Sequence, residues 1–325
     1  MRVLVTGAAG FIGRFVAARI AAAGDEVVPF DRATDPADDI TDLVRLRAAA
    51  VGCEAVVHLA AKVGLGVGIA DIDDYARHND LGTAVVLRAS AEAGIPRVVF
   101  ASSMVVYGEG AYACDRHGSV RPAPRTAADL AQGDFEVHCP HCGAELRPEL
   151  VTEDARLDPR NAYAATKVHG EHLAATWARE TDGVAVALRF HNVYGTGLPR
   201  NTPYAGVAAL FATRLAAGEA ARVFEDGRQR RDFVHLDDVA RAVAAAVHTQ
   251  LPSGLTALNI GSGRVSTIGD VATALTEAVD GPAPVVTGEF RLGDVRHVTA
   301  DSSAARRVLG WRAEIELRDG VRDLL

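Results

Sequence analysis

The chain has 325 residues, 49% of them hydrophobic and 23% charged, enough to bury a substantial core in one large domain or two closely joined ones. Its net charge of −8 disfavours a general nucleic-acid binder, and no run of about 18 uncharged apolar residues marks a membrane span, so neither nucleic acid nor a membrane is expected as a partner. The first apolar run, 3–5, meets glycines at once and lacks the features of a signal peptide, which makes the cytoplasm the expected location. Among 34 basic residues only Lys62 and Lys167 are lysines. Arginine stays charged whereas lysine can be tuned, so each of the two asks for a chemical reason.

Short β-branched runs alternate with helical patterns through the first half, as a doubly wound parallel α/β sheet requires. The pattern predicts strands over 2–6, 26–30, 55–59, 97–102 and 184–189, with helices near 11–23, 42–51, 75–93 and 162–180. Each crossover is long enough for a right-handed βαβ unit. Further helices are predicted over 205–217, 236–249 and 268–280, among short extended pieces and loops. The expected organisation is a Rossmann-type domain over 1–189, interrupted by a Cys-rich insert over 109–149. A smaller α/β domain follows over 190–325, from which 232–262 returns to the first.

The stretch Val3-Leu-Val-Thr-Gly7-Ala-Ala-Gly10-Phe-Ile-Gly13 is a strand, a glycine turn and a helix start. Residues without Cβ let backbone amides approach a pyrophosphate at the helix N-terminus, so Gly7, Gly10, Phe11, Ile12 and Gly13 form a candidate dinucleotide loop. Asp31 ends the second strand, where a carboxylate can accept hydrogen bonds from ribose hydroxyls and repel a 2′-phosphate, which favours NAD. Arg32 beside it leaves NADP open. Asp39 and Ile40 stand where they could reach the adenine, although an exposed loop aspartate is an equal reading.

Tyr163-Ala-Ala-Thr-Lys167 sets a phenol and an ammonium on one helical face. The lysine, joined by a positive nicotinamide, is expected to lower the tyrosine pKa from its ordinary value near 10, so that Tyr163 takes a proton from a hydroxyl as hydride leaves the carbon. Ser103 follows the strand 97–102, at the carboxyl edge where ligands gather in such sheets, and can hold the substrate oxygen. Lys62, just past the strand that carries His58, is a candidate substrate or diphosphate contact, or equally a solvated surface lysine.

These residues sit within a longer set of motifs. Thr6-Gly-Ala-Ala-Gly-Phe-Ile-Gly13, Val57-His-Leu-Ala-Ala61, Asn79-Asp-Leu-Gly-Thr83, Ser102-Ser-Met-Val-Val-Tyr-Gly108, Tyr163 to Lys167, Leu188-Arg-Phe-His-Asn-Val-Tyr-Gly195 and Arg231-Asp-Phe-Val-His-Leu-Asp-Asp238 follow one another along nearly the whole chain. In that order they resemble the extended short-chain dehydrogenase/reductases, the NAD-dependent nucleotide-sugar epimerase and dehydratase group. The resemblance implies a catalytic triad of Ser103, Tyr163 and Lys167, with Lys167 also holding the nicotinamide ribose. It implies cofactor contacts from Leu59, Ala60, Ala61 and Asn79, and substrate contacts from Met104, Asn192, Arg231 and Arg291. The two guanidiniums suit a nucleotide diphosphate. By the same resemblance the C-terminal domain binds the nucleotide sugar and the protein is a homodimer.

The dehydratases of this group carry an Asp-Glu pair after the triad Ser or Thr. Met104 and Val105 stand there and cannot act as acid or base, which argues against dehydration. Oxidation to a uronic acid needs a nucleophilic cysteine near the hydride acceptor, whereas Cys53 begins a buried strand and the other three cysteines lie in the insert. Reversible hydride transfer at one carbon remains. The stretches Asn201-Thr-Pro-Tyr-Ala-Gly-Val-Ala-Ala-Leu-Phe-Ala-Thr-Arg-Leu215 and Phe224-Glu-Asp-Gly-Arg-Gln-Arg-Arg-Asp232 resemble the bacterial dTDP-L-rhamnose 4-epimerase branch. The expected activity is C4 inversion of a dTDP-linked (6-deoxy)hexose with tightly bound NAD, through a transient 4-keto sugar. An NAD(P)-dependent nucleotide-sugar 4-ketoreductase or dehydrogenase and a UDP-sugar 4-epimerase are the alternatives. The complete triad speaks against a non-catalytic cofactor sensor.

Cys114-Asp-Arg-His117 and Cys139-Pro-His-Cys142 have the spacing of a metal site, C-x-x-H followed by C-x-x-C. Tetrahedral Zn²⁺ takes such sulfur and nitrogen sets, and a closed protein shell makes the ion structural. His138 or His141 could replace His117, and a disulfide is the weaker reading in a reducing compartment. A zinc knuckle can also bind nucleic acid, but residues 114–149 hold four arginines against six acidic residues, which argues against it.

Overall fold

The computed structural model describes residues 1–64, 69–200 and 206–325. The stretch 201–205, which includes the predicted start of a helix and part of the dTDP-rhamnose-like motif, lies outside them. Six parallel strands form the central sheet: β1 (Arg2–Thr6), β2 (Glu26–Phe30), β3 (Ala55–His58), β4 (Arg97–Ser103), β5 (Val184–Phe190) and β6 (Gly254–Ile260), in the order β6-β5-β4-β3-β1-β2. Five of these answer to predicted strands. The sixth, Gly-Leu-Thr-Ala-Leu-Asn-Ile, lies in the part predicted as short extended pieces, yet it pairs with β5 over seven residues.

Parallel strands covered on both faces must be apolar on both, and these are. Val3, Val5, Val57, Val99, Val186 and Leu188 enter one core with α1 (Gly13–Ala22). Their alternates Leu4, Val56, Val98 and Ala185 enter the other, with α2 (Leu43–Ala50), α3 (Gly82–Glu92) and α4 (Ala162–Thr181). A third core joins α5 (Val207–Ala216) to Phe233, Val271, Leu275, Val321 and Leu324. Against the first face, α6 (Leu236–His248) packs on α1, while α7 (Ile268–Val279) belongs to the third core.

The helix predicted over 75–93 begins earlier and is not uniform. An α turn over Ile72–Tyr75 runs into a π turn over Ala76–Leu81 before α3. Such a bulge re-aims one side chain, here Asn79, inward. The insert carries a small antiparallel sheet of Ala111–Cys114 with Gly118–Ser119 and Arg147–Glu149, over a core of Tyr112, Cys114, Val137, Cys139 and Leu146. Among the described residues, no helix is long and apolar enough to cross a membrane.

Candidate active site

Strand order reverses on either side of β1, and the crevice at such a point is where ligands bind in open α/β sheets. A cleft of about 890 Å³ opens there, lined on one side by Gly7, Gly10, Phe11, Ile12, Gly13, Leu59, Ala60 and Ala61. Gly7 takes φ +72°, and a Cβ on it would lie 2.7 Å from the Ala60 nitrogen; one on Gly13 would lie 1.9 Å from the Gly7 carbonyl oxygen. The turn can therefore press against the end of β3 and α1 can start directly above it only with glycine at both places. The result is bare backbone before a helix N-terminus, the setting a pyrophosphate requires.

Asp31 accepts hydrogen bonds from the Ala9 and Ala33 amides at 2.9 and 2.8 Å, which fixes its carboxylate beside the glycine turn. Arg32 pairs with Asp39 at 3.3 Å. The Asp39 carboxylate also takes the Thr41 amide and hydroxyl, both at 2.8 Å, so it is turned to its own loop while Asp38 and Ile40 line the cleft. Asn79 clamps the chain after β3: its Oδ1 accepts from the Lys62 amide, and its Nδ2 donates to the Lys62 carbonyl and to Thr166 of α4. His58, buried between the Thr6 and Thr83 hydroxyls, is driven down to about 3 by burial and by the Lys167 charge. It is a neutral tie between β1, β3 and α3.

Ser103, the last residue of β4, comes together with Tyr163 and Lys167 of α4 on the far wall of the cleft. Its hydroxyl neighbours the Tyr163 phenol and favours the ionised form. The Lys167 ammonium donates to the Ala101 carbonyl at 2.8 Å and lies 5.6 Å from the Tyr163 ring centre. Burial pushes the phenol up to about 12, and the neighbouring Ser103 hydroxyl offsets only part of that. Burial also brings Lys167 down to about 8, against the pull of Glu171. The ammonium by itself, already engaged with a backbone carbonyl, is outweighed by desolvation, so the expected lowering falls to the nicotinamide charge. A further positive charge beside the ring is needed before Tyr163 can hold a negative one.

Beneath this pair lies a buried network. Glu171 takes both the Nε and Nη2 of Arg189, at 2.9 and 2.7 Å, and the Ser102 hydroxyl; Arg189 also reaches the Tyr107 hydroxyl, which donates to Asn259 of β6. These contacts join β4, β5, β6 and α4 at the level of Ser103 and Lys167. Glu171 and Arg189 were not singled out from the sequence, although Glu171 stands four residues beyond Lys167 on the same helical face. His191 and Phe190 also line the cleft; they sit inside a quoted motif, but nothing in their type announced it.

Asn192 lines the cleft and donates to the Asp232 carbonyl at 3.0 Å and to the Met104 sulfur at 3.6 Å. Lys62 pairs with Asp74 and lies 4.8 Å from the Tyr75 ring centre. Arg231 donates to the Arg296 and Val295 carbonyls at 2.9 and 2.7 Å. Arg231 and exposed Arg291 both face Asp294, whose burial nevertheless holds its carboxyl above the ordinary value.

The insert brings Cys114, His117, Cys139 and Cys142 together, with their ligand atoms all within 4.8 Å of one another. Cys114 Sγ lies 3.7 Å from Cys142 Sγ and 3.4 Å from His117 Nδ1, which lies 3.5 Å from Cys139 Sγ. Zn–S bonds of about 2.3 Å and a Zn–N bond of about 2.0–2.1 Å would give tetrahedral edges of roughly 3.8 Å between sulfurs and roughly 3.6 Å between sulfur and nitrogen. Turn amides face the sulfurs: that of Arg116 leads in drawing the Cys114 thiol down, and at Cys139 burial is overcome by those of His141 and Cys142. His138 stands apart beside Asp134, and the His141 ring packs 5.1 Å from that of His117.

The profile of the NAD dependent epimerase/dehydratase family matches residues 3–127 and 141–261, and the break falls inside the insert. A dTDP-L-rhamnose 4-epimerase from Burkholderia thailandensis is 33% identical over 99% of this chain and 93% of its own length. A UDP-glucose 4-epimerase from Mycolicibacterium smegmatis is 31% identical over 99% and 96%. Among solved structures, MoeE5 in complex with UDP-glucose and NAD covers 100% of this chain and 97% of its own at 31% identity and a TM-score of 0.79. The UDP-glucose 4-epimerase of Thermotoga maritima with UDP-glucose covers 100% and 97% at 27% identity and a TM-score of 0.80.

Proposed function

The chain belongs to the NAD dependent epimerase/dehydratase family, and from that premise we propose that it is an NAD-dependent nucleotide-sugar 4-epimerase whose substrate is a dTDP-linked 6-deoxyhexose. The observation that carries the reaction is the convergence of Ser103, Tyr163 and Lys167 across the cleft from the Gly7–Gly13 turn, with Met104 and Val105 where an eliminating acid pair would stand. The glycine cradle and Asp31 fit NAD: the turn accepts a pyrophosphate, and the carboxylate disfavours a 2′-phosphate while Arg32 is engaged by Asp39. When bound, that cofactor supplies the acceptor and donor of the C4 hydride and a positive charge near the phenol. Tyr163 takes the proton of the C4 hydroxyl and later returns it, Ser103 holds the same oxygen, and Lys167 keeps an ammonium beside both. The 4-keto sugar turns over between the two transfers, so its other face receives the hydride.

The dTDP assignment rests on the 33% identity to the rhamnose epimerase over almost the whole chain. The UDP-sugar reading is favoured by the other relatives and by MoeE5. Incubation with dTDP-L-rhamnose and with UDP-glucose, without added cofactor, separates them when the products are assigned by NMR. Formation of the C4 epimer from dTDP-L-rhamnose alone supports the proposal. Turnover of UDP-glucose alone selects the UDP reading, and turnover of a keto sugar only with added NAD(P)H selects the one-way reductase.

The Cys114–His117–Cys139–Cys142 set fits a structural zinc ion by donor type and edge length. All four cysteines of the chain are free thiols, which suits ligation in a reducing cytoplasm. Elemental analysis should find about one equivalent per chain. Sedimentation tests the homodimer that the family implies.

A further inference from the structure

The insert does not end at its metal ligands. Glu136, three residues before Cys139, reaches out of it to Arg296, whose side chain is 0% exposed, accepting from Nε at 3.1 Å, and to His297 at 3.0 Å. Arg296 is held on its other side by Glu225 and Asp226, at 2.8 Å each. A second arm is Arg125, whose guanidinium donates to the Phe135 carbonyl, to Glu225 at 2.9 Å and to the Asp294 carbonyl at 2.7 Å. Tyr112, in the same small core as Cys114 and Cys139, accepts from the His297 amide. Apart from the bond of Arg125 to Phe135 within the insert, each of these contacts ends on 294–297 or on the Glu225–Asp226 turn against it.

That short segment is also what Arg231 leans on. Its Nη1 donates to the carbonyls of Arg296 and Arg230 and its Nη2 to that of Val295, so the direction of the guanidinium follows the backbone there, with N–H groups left over for a ligand. A chain of contacts therefore runs from the ligand knuckle through Glu136 and Arg296 to Arg231. The insert's own core has five buried residues, two of them metal ligands, which is too few to hold such arms in place without ligation.

We propose that the metal-stapled insert is a positioning element for the substrate diphosphate, fixing the 294–297 segment and thereby setting Arg231. This rests on the readings of Arg231 as a diphosphate contact and of the Cys₃His set as a zinc site. It assigns the insert to substrate affinity and leaves hydride transfer to the sheet.

The test uses Glu136→Ala, Glu136→Gln and Cys139→Ser in the full chain. Affinity for dTDP and for UDP is measured by calorimetry, KM and kcat with the sugar that turns over, and zinc and NAD content by elemental analysis and absorbance. Glu136→Ala should keep its zinc and its NAD and hold kcat within about twofold, while KM and the diphosphate Kd rise about tenfold, the size of one charge-assisted contact. Glu136→Gln should recover part of that loss, because the amide still accepts a hydrogen bond. Cys139→Ser should lose the zinc and show the same rise in KM. An unchanged Kd in Glu136→Ala with zinc retained, a fall in kcat at constant KM, or an unmutated protein that binds nucleotide yet holds no zinc would each overturn the proposal. If neither dTDP nor UDP binds the unmutated protein, it is the nucleotide-sugar reading itself that fails.

Discussion

The sheet and the insert solve the same problem, holding polar groups at fixed positions, by opposite means. In the sheet, two apolar cores flank six strands, and this mass supports a fully buried ionic network of Glu171, Arg189, Ser102 and Tyr107 under Tyr163 and Lys167. The insert has a core cluster of only five buried residues beside its Cys/His set, and it sends its charged arms outward to a neighbour. Removing one partner from a buried ion pair leaves the other charge uncompensated, whereas removing a ligand from a closed metal site releases only what that ion organises. The two regions should therefore fail differently, one globally and the other locally.

The largest contrast is chemical. Tyr163→Phe should lower kcat about 10³-fold while bound NAD and the melting temperature stay close to those of the unmutated protein. Substantial residual epimerase activity, measured by NMR of the product sugar, would remove Tyr163 from the mechanism. Next comes Glu171→Gln, which leaves the Arg189 guanidinium buried with a weaker partner. It should cost about 3 kcal/mol in urea unfolding, in a single cooperative transition.

A third effect depends on pH. Lys167 is brought from 10.5 to about 8 in the fold, so below pH 8 both states keep the proton and the group contributes no slope. Between pH 8 and 10.5 the unfolded chain binds more protons than the native one, and stability rises with pH by up to about 3 kcal/mol. Tyr163, pushed up to about 12, acts in the opposite sense only above pH 10, where the folded state keeps a proton the unfolded chain has lost. Lys167→Met should flatten the rise between pH 8 and 10 in nucleotide-free protein, as read from urea midpoints. An unaltered slope would show that Lys167 keeps an ordinary pKa. The smallest global effect belongs to the insert: Cys139→Ser should shift the main unfolding midpoint little, yet open 115–149 to limited proteolysis. A loss of cooperativity across the whole chain would show that the insert is part of the main core.

Much of the sheet side was legible because its signals are local. Strands buried on both faces read as β-branched runs, Gly7 and Gly13 are demanded by contacts within one turn, and Tyr163 and Lys167 share a face through a four-residue spacing. The sixth strand was overlooked because a Thr, an Asn and two flanking loops dilute its apolar run, and only pairing with β5 makes it a strand. The π turn at Ala76–Leu81 leaves no mark in the hydrophobic period, although it aims Asn79. In the insert, Cys-x-x-His and Cys-x-x-Cys named the residues that cluster, while the choice of His117 over His138 and His141 came from the fold.

By itself, then, the sequence determined what depends on neighbours along the chain: the doubly wound order, the glycine turn, the shared face of Tyr163 and Lys167 and the spacing of the Cys and His pairs. Tertiary structure decided what depends on solvent exclusion and on partners far apart in number. It set the direction of the Tyr163 shift, because desolvation is a property of the whole surrounding wall. It joined Glu171 to Arg189 and Glu136 to Arg296, because no periodicity relates residues 18 or 160 positions apart until strands and loops bring them together.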